Sequence, residues 1–542
     1  MWSRRSFLAS LAAPVAVKPE LILYNANIHT IDAANPSAQA VAIARGRFLA
    51  VGSNDDVRGL AGAAARQVDL GGRTVVPGFI DAHTHPASSG LHHLREVDCD
   101  LRSITEIQAA IRQRAASTPK GQWILGFKYD DTKTAEGRKI TLRDLDAAAP
   151  DHPVRITHRG GHSVYVNSRA LNIADVNEKT PDPAGGKFAR EGGHLTGALL
   201  ERAMGAVTSK IKIEYSRADR QEGVKIISRM MNKAGVTSVN DTGGSPLDLR
   251  AYQDAHEAGD LGLRVYCLIG VGWLDQMLAA GVRTGLGNEW VRVGAVKLMA
   301  DGSISERTAR LAQPYIGRPN DHGILVTAEP ELYEQARKAH QAGWQIGTHC
   351  NGDFAIDMTL RVYERVQREM PRKDPRFRLE HCTVVTPEII RRIRALGAIP
   401  NPFSTYVYYH GEKMREYGAE RLDRMFAVRS FLDAGIRVTQ ASDYPPGPFE
   451  PMMALQSSVT RTDSKGNVWG PKQKVSVTEA LRVGTLHGAY ASFEEREKGS
   501  IEAGKLADLV VLGRDPMKED PSTLITIPVE RTMAGGRWVW EA

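Results

Sequence analysis

Thr74-Val75-Val76-Pro77-Gly78-Phe79-Ile80-Asp81-Ala82-His83-Thr84-His85-Pro86 is the stretch on which the fold of this chain turns. An apolar run of this length, broken by Pro-Gly and closed by His-x-His-Pro, reads as a buried strand with chemistry at its C-terminal end. Side chains two apart on a strand point to the same side, so His83 and His85 face one way. If that side is the interior of a barrel, the two imidazoles can grip one metal ion. A His-x-His pair alone is a weak signal; its place at the end of an apolar strand is what gives it weight.

Downstream, short apolar runs alternate with helical patterns. Gly235-Val236-Thr237-Ser238-Val239, Leu263-Arg264-Val265-Tyr266-Cys267-Leu268 and Arg292-Val293-Gly294-Ala295-Val296-Lys297-Leu298 are three of the runs. Gln345 to His349, Phe377 to His381 and Arg437 to Asp443 are three more, with helices expected at 330–342 and 386–396. Strands alternating with helices mean βα units and a parallel sheet, here an α/β fold of the (β/α)₈ TIM barrel type. Residues 95–230 fit the spacing poorly and read as a long insertion after the first strand. Upstream, residues 20–75 alternate as short strands separated by turns such as Gly71-Gly72-Arg73, and the C-terminal end behaves alike at 506–512, 529–534 and 537–540. The expected organisation is a composite β-sandwich from residues 18–75 and 497–542, interrupted by a barrel over 76–496.

Four more residues fall at or near the ends of these strands, where barrel enzymes place their catalytic groups. Lys297 lies inside an apolar strand, where an ammonium is costly. An ion pair with a nearby aspartate solves this, and so does carboxylation by CO₂ to an anionic carbamate that bridges two cations. His349 and His381 each end a strand, either as satisfied core histidines or as ligands. Asp443 ends another, as a turn residue or a ligand. Cys350 and Cys382 follow the histidines and by alternation point into the helix layer as small buried hydrophobes. Imidazole and carboxylate donors together suit Zn²⁺, with Mn²⁺, Co²⁺ or Fe²⁺ as other fits.

Several segments together resemble the amidohydrolase superfamily, in its family 3 branch related to N-substituted formamide deformylases. They are PGFIDAHTHP at 77–86, DHPVRITHRGGHSVYVNSRAL at 151–171, KLMADGSISERTARL at 297–311, THCNGDFAID at 348–357, RLEHC at 378–382, ASDYP at 441–445 and GSIEAGKLADLVVLGRDP at 499–516. The resemblance implies that His83 and His85 hold the more buried of one or two divalent metals. A carboxylated Lys297 would bridge to a second metal held by His349 and His381. Asp443 would bind metal and carry the proton. The expected reaction is hydrolysis of the C–N bond of an amide or formamide by a metal-activated hydroxide. Deamination of a heterocycle on the same site, and a non-catalytic scaffold of the same fold, are the alternatives. Where some relatives carry an acidic residue, positions 160–161 read Gly-Gly before His162, which is assigned a substrate hydrogen bond or a structural role. Glu306 and Arg307 read as capped surface-turn residues, or as lining of the mouth.

The composition sets bounds. The 542 residues are 42% hydrophobic and 25% charged, enough to build a core without disulfides, and the four cysteines form no CxxC pair. A formal charge of +7 is spread along the chain without the basic stripe that nucleic-acid binding needs. The expected partner is a small-molecule substrate, with no nucleic acid and no stable membrane anchor, and with homo-oligomerisation left open. Ser3-Arg4-Arg5-Ser6-Phe7-Leu8, followed by a small apolar run to residue 17, resembles a twin-arginine export signal, and the run is too short to span a bilayer. Periplasmic export is therefore expected, with the cytoplasm as the alternative.

Overall fold

The computed structural model describes residues 17–542. The expected export signal at residues 1–17 lies, apart from Val17, outside the described residues.

The stretch at 74–86 is two strands in two different sheets. Thr74–Pro77 runs antiparallel to Leu509–Leu512, pairing Thr74 with Leu512 and Pro77 with Leu509. After Gly78 the chain enters the first barrel strand, β1 (Phe79–Thr84). Gly78 sits where two layers meet: its N–H donates to the Asp508 carbonyl at 3.0 Å, and a Cβ there would collide with the Thr237 side chain.

The barrel continues through β2 (Val236–Gly244), β3 (Arg264–Gly270), β4 (Val291–Met299), β5 (Ile346–Cys350), β6 (Arg378–His381) and β7 (Ile399–Asn401). Each strand pairs in parallel with its neighbour, from β1 through β7 in chain order. Residues 436–443 close the ring without forming a regular strand. Thr439 donates to the Pro400 carbonyl at 3.1 Å on one side. On the other, Ala82 donates to Gln440 at 2.9 Å and Asp443 donates to His83 at 2.7 Å. Six barrel segments match the sequence expectation, while β7, three residues with a central proline, carries too short a pattern to be read. Helices Glu329–Gln341 and Pro387–Leu396 lie where expected, the second capped by the Thr386 hydroxyl.

The two chain ends build a β-domain together. One sheet is local to the N-terminal side, in the order Arg47–Gly52, Ala40–Ala44, Leu21–Tyr24, Arg66–Asp69. The other mixes both ends: Arg537–Glu541, Val529–Ala534, Leu509–Leu512, Thr74–Pro77, Asn27–His29, Ser37–Ala38. Leu23, Val41 and Phe48 of the first sheet pack with Val75, Leu509 and Met533 of the second in one apolar core.

Between β1 and β2 stands a six-stranded sheet, in the order Gly186–Glu191, His194–Glu201, Ser163–Val166, Val154–His158, Ile124–Tyr129, Val97–Asp98. It has apolar cores of its own. The turn from Val154–His158 into Ser163–Val166 reaches over the C-terminal mouth of the barrel. The chain returns through helix Arg217–Lys233, which crosses helix Pro86–Arg95 at a glycine pair. A Cβ on Gly90 would overlap the Gly223 carbonyl.

Candidate metal centre

At the C-terminal ends of the strands is a cavity of about 270 Å³. His85, Lys297, His349, His381, Asp443 and His162 line it, and His83 lies directly beneath Lys297, their Nε2 and Nζ 3.3 Å apart. All seven side chains selected from the sequence thus come to one place, from β1, β4, β5, β6, the closing segment and the overhanging turn.

Asp443 occupies the middle. One of its carboxylate oxygens is 3.0 Å from His85 Nε2 and 3.2 Å from His83 Nε2. These three ligand atoms lie within 4.8 Å of one another, close enough to share a cation. His83 is fully buried, and its Nδ1–H donates to Glu380 at 2.5 Å, which leaves the Nε2 lone pair facing inward. The His381 ring centroid is 4.5 Å from that of His83 and 4.4 Å from that of His349. His381 Nδ1 is buried without a hydrogen-bond partner, an unpaired ring nitrogen of the kind a cation satisfies. Burial, reinforced by Lys297 beside His349 and by His349 beside His381, holds both imidazoles well below their ordinary pKa, so both are neutral. Burial likewise lowers the Lys297 ammonium. Neutral imidazoles around a carboxylate, with a buried lysine, fit a divalent cation.

Backbone strain marks the same place. His381 (φ 71°) and Asp443 (φ 56°) both adopt left-handed conformations, uncommon outside glycine and costly enough to need surrounding support. Cys350 and Cys382 sit in the apolar core between strands and helices, as their alternation implied.

Glu380 was not singled out in the sequence. Besides His83, it accepts from Arg378 Nε at 2.7 Å and Asn401 Nδ2 at 3.0 Å, all inside the barrel. Strand alternation puts residues 380 and 381 on opposite faces. The left-handed turn at His381 and Cys382 (φ 42°) breaks that rule and lets both serve the centre. A charged Arg-x-Glu pair inside an apolar strand was the available signal.

Glu306 corrects another expectation. It is not a surface-turn residue: its side chain is 8% exposed and holds the overhanging turn. The His162 N–H donates to it at 2.9 Å and the Ser163 hydroxyl at 2.7 Å, with His158 Nδ1 3.4 Å away. A Cβ at residue 160 would overlap the Glu306 carboxylate, so Gly160 is needed for this carboxylate to reach the turn. Arg307 is half-buried and paired with Glu416 at 2.7 Å. A second cluster, Asp130, Asp131 and His158, stands behind the turn. Lys413 already donates to Asp130 at 3.0 Å, which makes this cluster a buried ion-pair network. Burial opposes charge on His158, but Glu306, Asp131 and Asp130 raise its pKa to about 9.

A closed barrel with histidine, lysine and aspartate gathered at its mouth defines a metal-dependent hydrolase architecture, and the sequence places it further. The model of the amidohydrolase family matches residues 66–540, and the chain belongs to that family. It is 33% identical to the N-substituted formamide deformylase of Arthrobacter pascens, over 95% of this chain and 97% of that protein. It is 30% identical to the protein LONG AFTER FAR-RED 3 of Arabidopsis thaliana, over 99% of this chain and 94% of that one. The crystal structure of an uncharacterized metal-dependent hydrolase from Pyrococcus horikoshii superposes with a TM-score of 0.76 at 25% identity, covering 92% of this chain and 99% of that chain.

Proposed function

We propose that the protein hydrolyses the C–N bond of a small amide or formamide. The observation that carries this reading is the convergence on one cavity of four histidines, a buried lysine and a central aspartate, with a ring nitrogen of His381 left unpaired. His83, His85 and Asp443 would hold one divalent cation, with Zn²⁺ the best fit to the donors, and His349 and His381 a second. Cations there supply Lewis acidity and a water of lowered pKa. Burial disfavours the Lys297 ammonium; carboxylation of Nζ by CO₂, with loss of a proton, would turn it into a carbamate that supplies an anionic oxygen donor to the cations. Asp443, sheltered in the cavity, takes the proton from the attacking water and returns it to the leaving nitrogen. His162, which lines the same cavity, meets the amide group. The similarity to a deformylase along nearly the full length supports an acyl-transfer reaction over deamination.

The test combines metal quantification with a screen of formamides, acyl amides, lactams and aryl esters, following carboxylate and ammonia release. One or two zinc ions per chain with carboxylate release is expected. Ammonia release from a heterocycle with no amide turnover would replace this reading by the deaminase.

A further inference from the structure

Outside the cation ligands, one wall of the cavity carries a carboxylate–imidazole pair whose construction is unusual. His162 enters the cavity from the turn of the overhanging sheet, its ring centroid 6.0 Å from that of His349. Its Nδ1 points the other way, 3.0 and 3.2 Å from the two carboxylate oxygens of Glu201. The Glu201 side chain is 9% exposed, and this residue also donates its own N–H to the His162 carbonyl at 2.9 Å. Glu201 sits at φ 50° and ψ −128°, a backbone conformation an L residue avoids, at the point where strand His194–Glu201 gives way to a short 3₁₀ turn. Such strain persists only where the surroundings enforce it, and it gathers where side-chain aim matters. Glu306 grips the backbone N–H of His162 from the third side.

We propose that Glu201 is a positioning residue: by accepting the Nδ1 proton of His162 it turns the Nε2 edge of that imidazole toward the scissile amide, which His162 hydrogen-bonds. The logic is that of any imidazole held by a carboxylate on one nitrogen. The proton on Nδ1 is fixed, and the other nitrogen is the one left for a partner. As neutral imidazole Nε2 accepts an amide N–H, and as imidazolium it donates to the amide oxygen. In the neutral state the tautomer choice belongs to Glu201; in the charged state Glu201 still fixes which edge of the ring faces the cavity. The role in turnover rests on the hydrolase reading above, whereas the tautomer assignment does not.

Two measurements on the metal-loaded full-length protein decide it. In the first, nitrogen-15 spectra of histidine-labelled protein, with the His162 signals assigned by their loss in His162→Ala, should show the proton on Nδ1, and Glu201→Leu, which removes the acceptor, should abolish that preference. In the second, Glu201→Gln should lower kcat/KM by roughly 10- to 100-fold, the range commanded by a hydrogen bond to a charged group, with unchanged metal content. The double variant His162→Ala/Glu201→Gln should be no slower than His162→Ala alone, and Glu201→Asp should recover part of the loss. A wild-type His162 protonated on Nε2 alone would overturn the proposal, as would single-variant losses that add in full. If the protein binds metal but turns over none of the amides, the reading of the reaction fails while the spectra still decide the pair.

Discussion

Glu380 shows how a residue without contact to substrate shapes the centre. Burial alone would raise its carboxyl, but Arg378 and His83 hold it well below the carboxylate range, so it is a fixed anion behind His83. Lys297 is the complementary case, a buried amine with His83 on one side and the cavity on the other. Lys297→Ala is expected to lower metal occupancy and activity together, with partial rescue of both by short carboxylic acids. A fully metallated, active Lys297→Ala protein would reject the carbamate. The overhanging turn offers a pH test. Burial would raise Glu306, but His158 first, then His162 and Ser163, take it from 4.5 down to about 2. Its share of stability is present above pH 4.5 and is lost as the pH falls toward 2. His158 rises from 6.5 to about 9, so its share is complete below pH 6.5 and is lost as the pH climbs through 9. Amide exchange at 158–163, corrected for its intrinsic pH dependence, should therefore be slowest between pH 4.5 and 6.5 and accelerate above 9. Equal protection on both sides of that window would refute the pairing.

Among the elements, the strands that carry the candidate ligands were legible because each ends an apolar run with a polar residue that burial alone disfavours. His83, Lys297, His349, His381 and Asp443 stood out for that reason. Glu380 and Glu201 did not, since each gains its role from a local backbone inversion that no periodicity announces: the left-handed turn at His381 for one, and its own φ of 50° for the other. Glu306 was misread because its partners lie more than 140 residues away, at His162 and Ser163. Helices Pro86–Arg95 and Arg217–Lys233 meet through Gly90 and Gly223, so the crossing brings backbone against backbone. Gly90→Val should force the pair apart and destabilise the protein by about 1–3 kcal/mol, the usual penalty of overpacking. Thermal unfolding of the metal-loaded protein reads this directly; an unchanged melting temperature would show that the crossing tolerates a side chain.

Across the whole molecule, barrel and β-domain are joined at the end of the barrel opposite the candidate metal centre. Arg264, at the start of β3, is 1% exposed and makes two hydrogen bonds to Asp508, at 2.7 and 3.0 Å, while stacking on Trp290 with its guanidinium 4.3 Å from the ring centroid. Asp508 belongs to the C-terminal segment and also accepts the Gly535 N–H at 2.8 Å. Asp508→Ala leaves a buried guanidinium unpaired, and a loss of about 3–5 kcal/mol is expected from denaturant unfolding. Metal content per folded chain should be unaffected, because the pair and the ligands sit at opposite ends of the strands. Co-loss of metal at full folding would show that the β-domain reaches the site.

The linear chain determined the alternation of strands and helices, the strand pattern at both of its ends, and which polar residues sit at strand ends. All of these follow from hydrophobic periodicity, which is local. Tertiary structure alone decided which carboxylates orient the imidazoles, how the ring closes through an irregular segment, and how the overhanging sheet roofs the cavity. Those depend on contacts between residues up to several hundred positions apart and on backbone inversions at single residues. Side-chain pattern does not encode such distances, whereas the packed barrel imposes them.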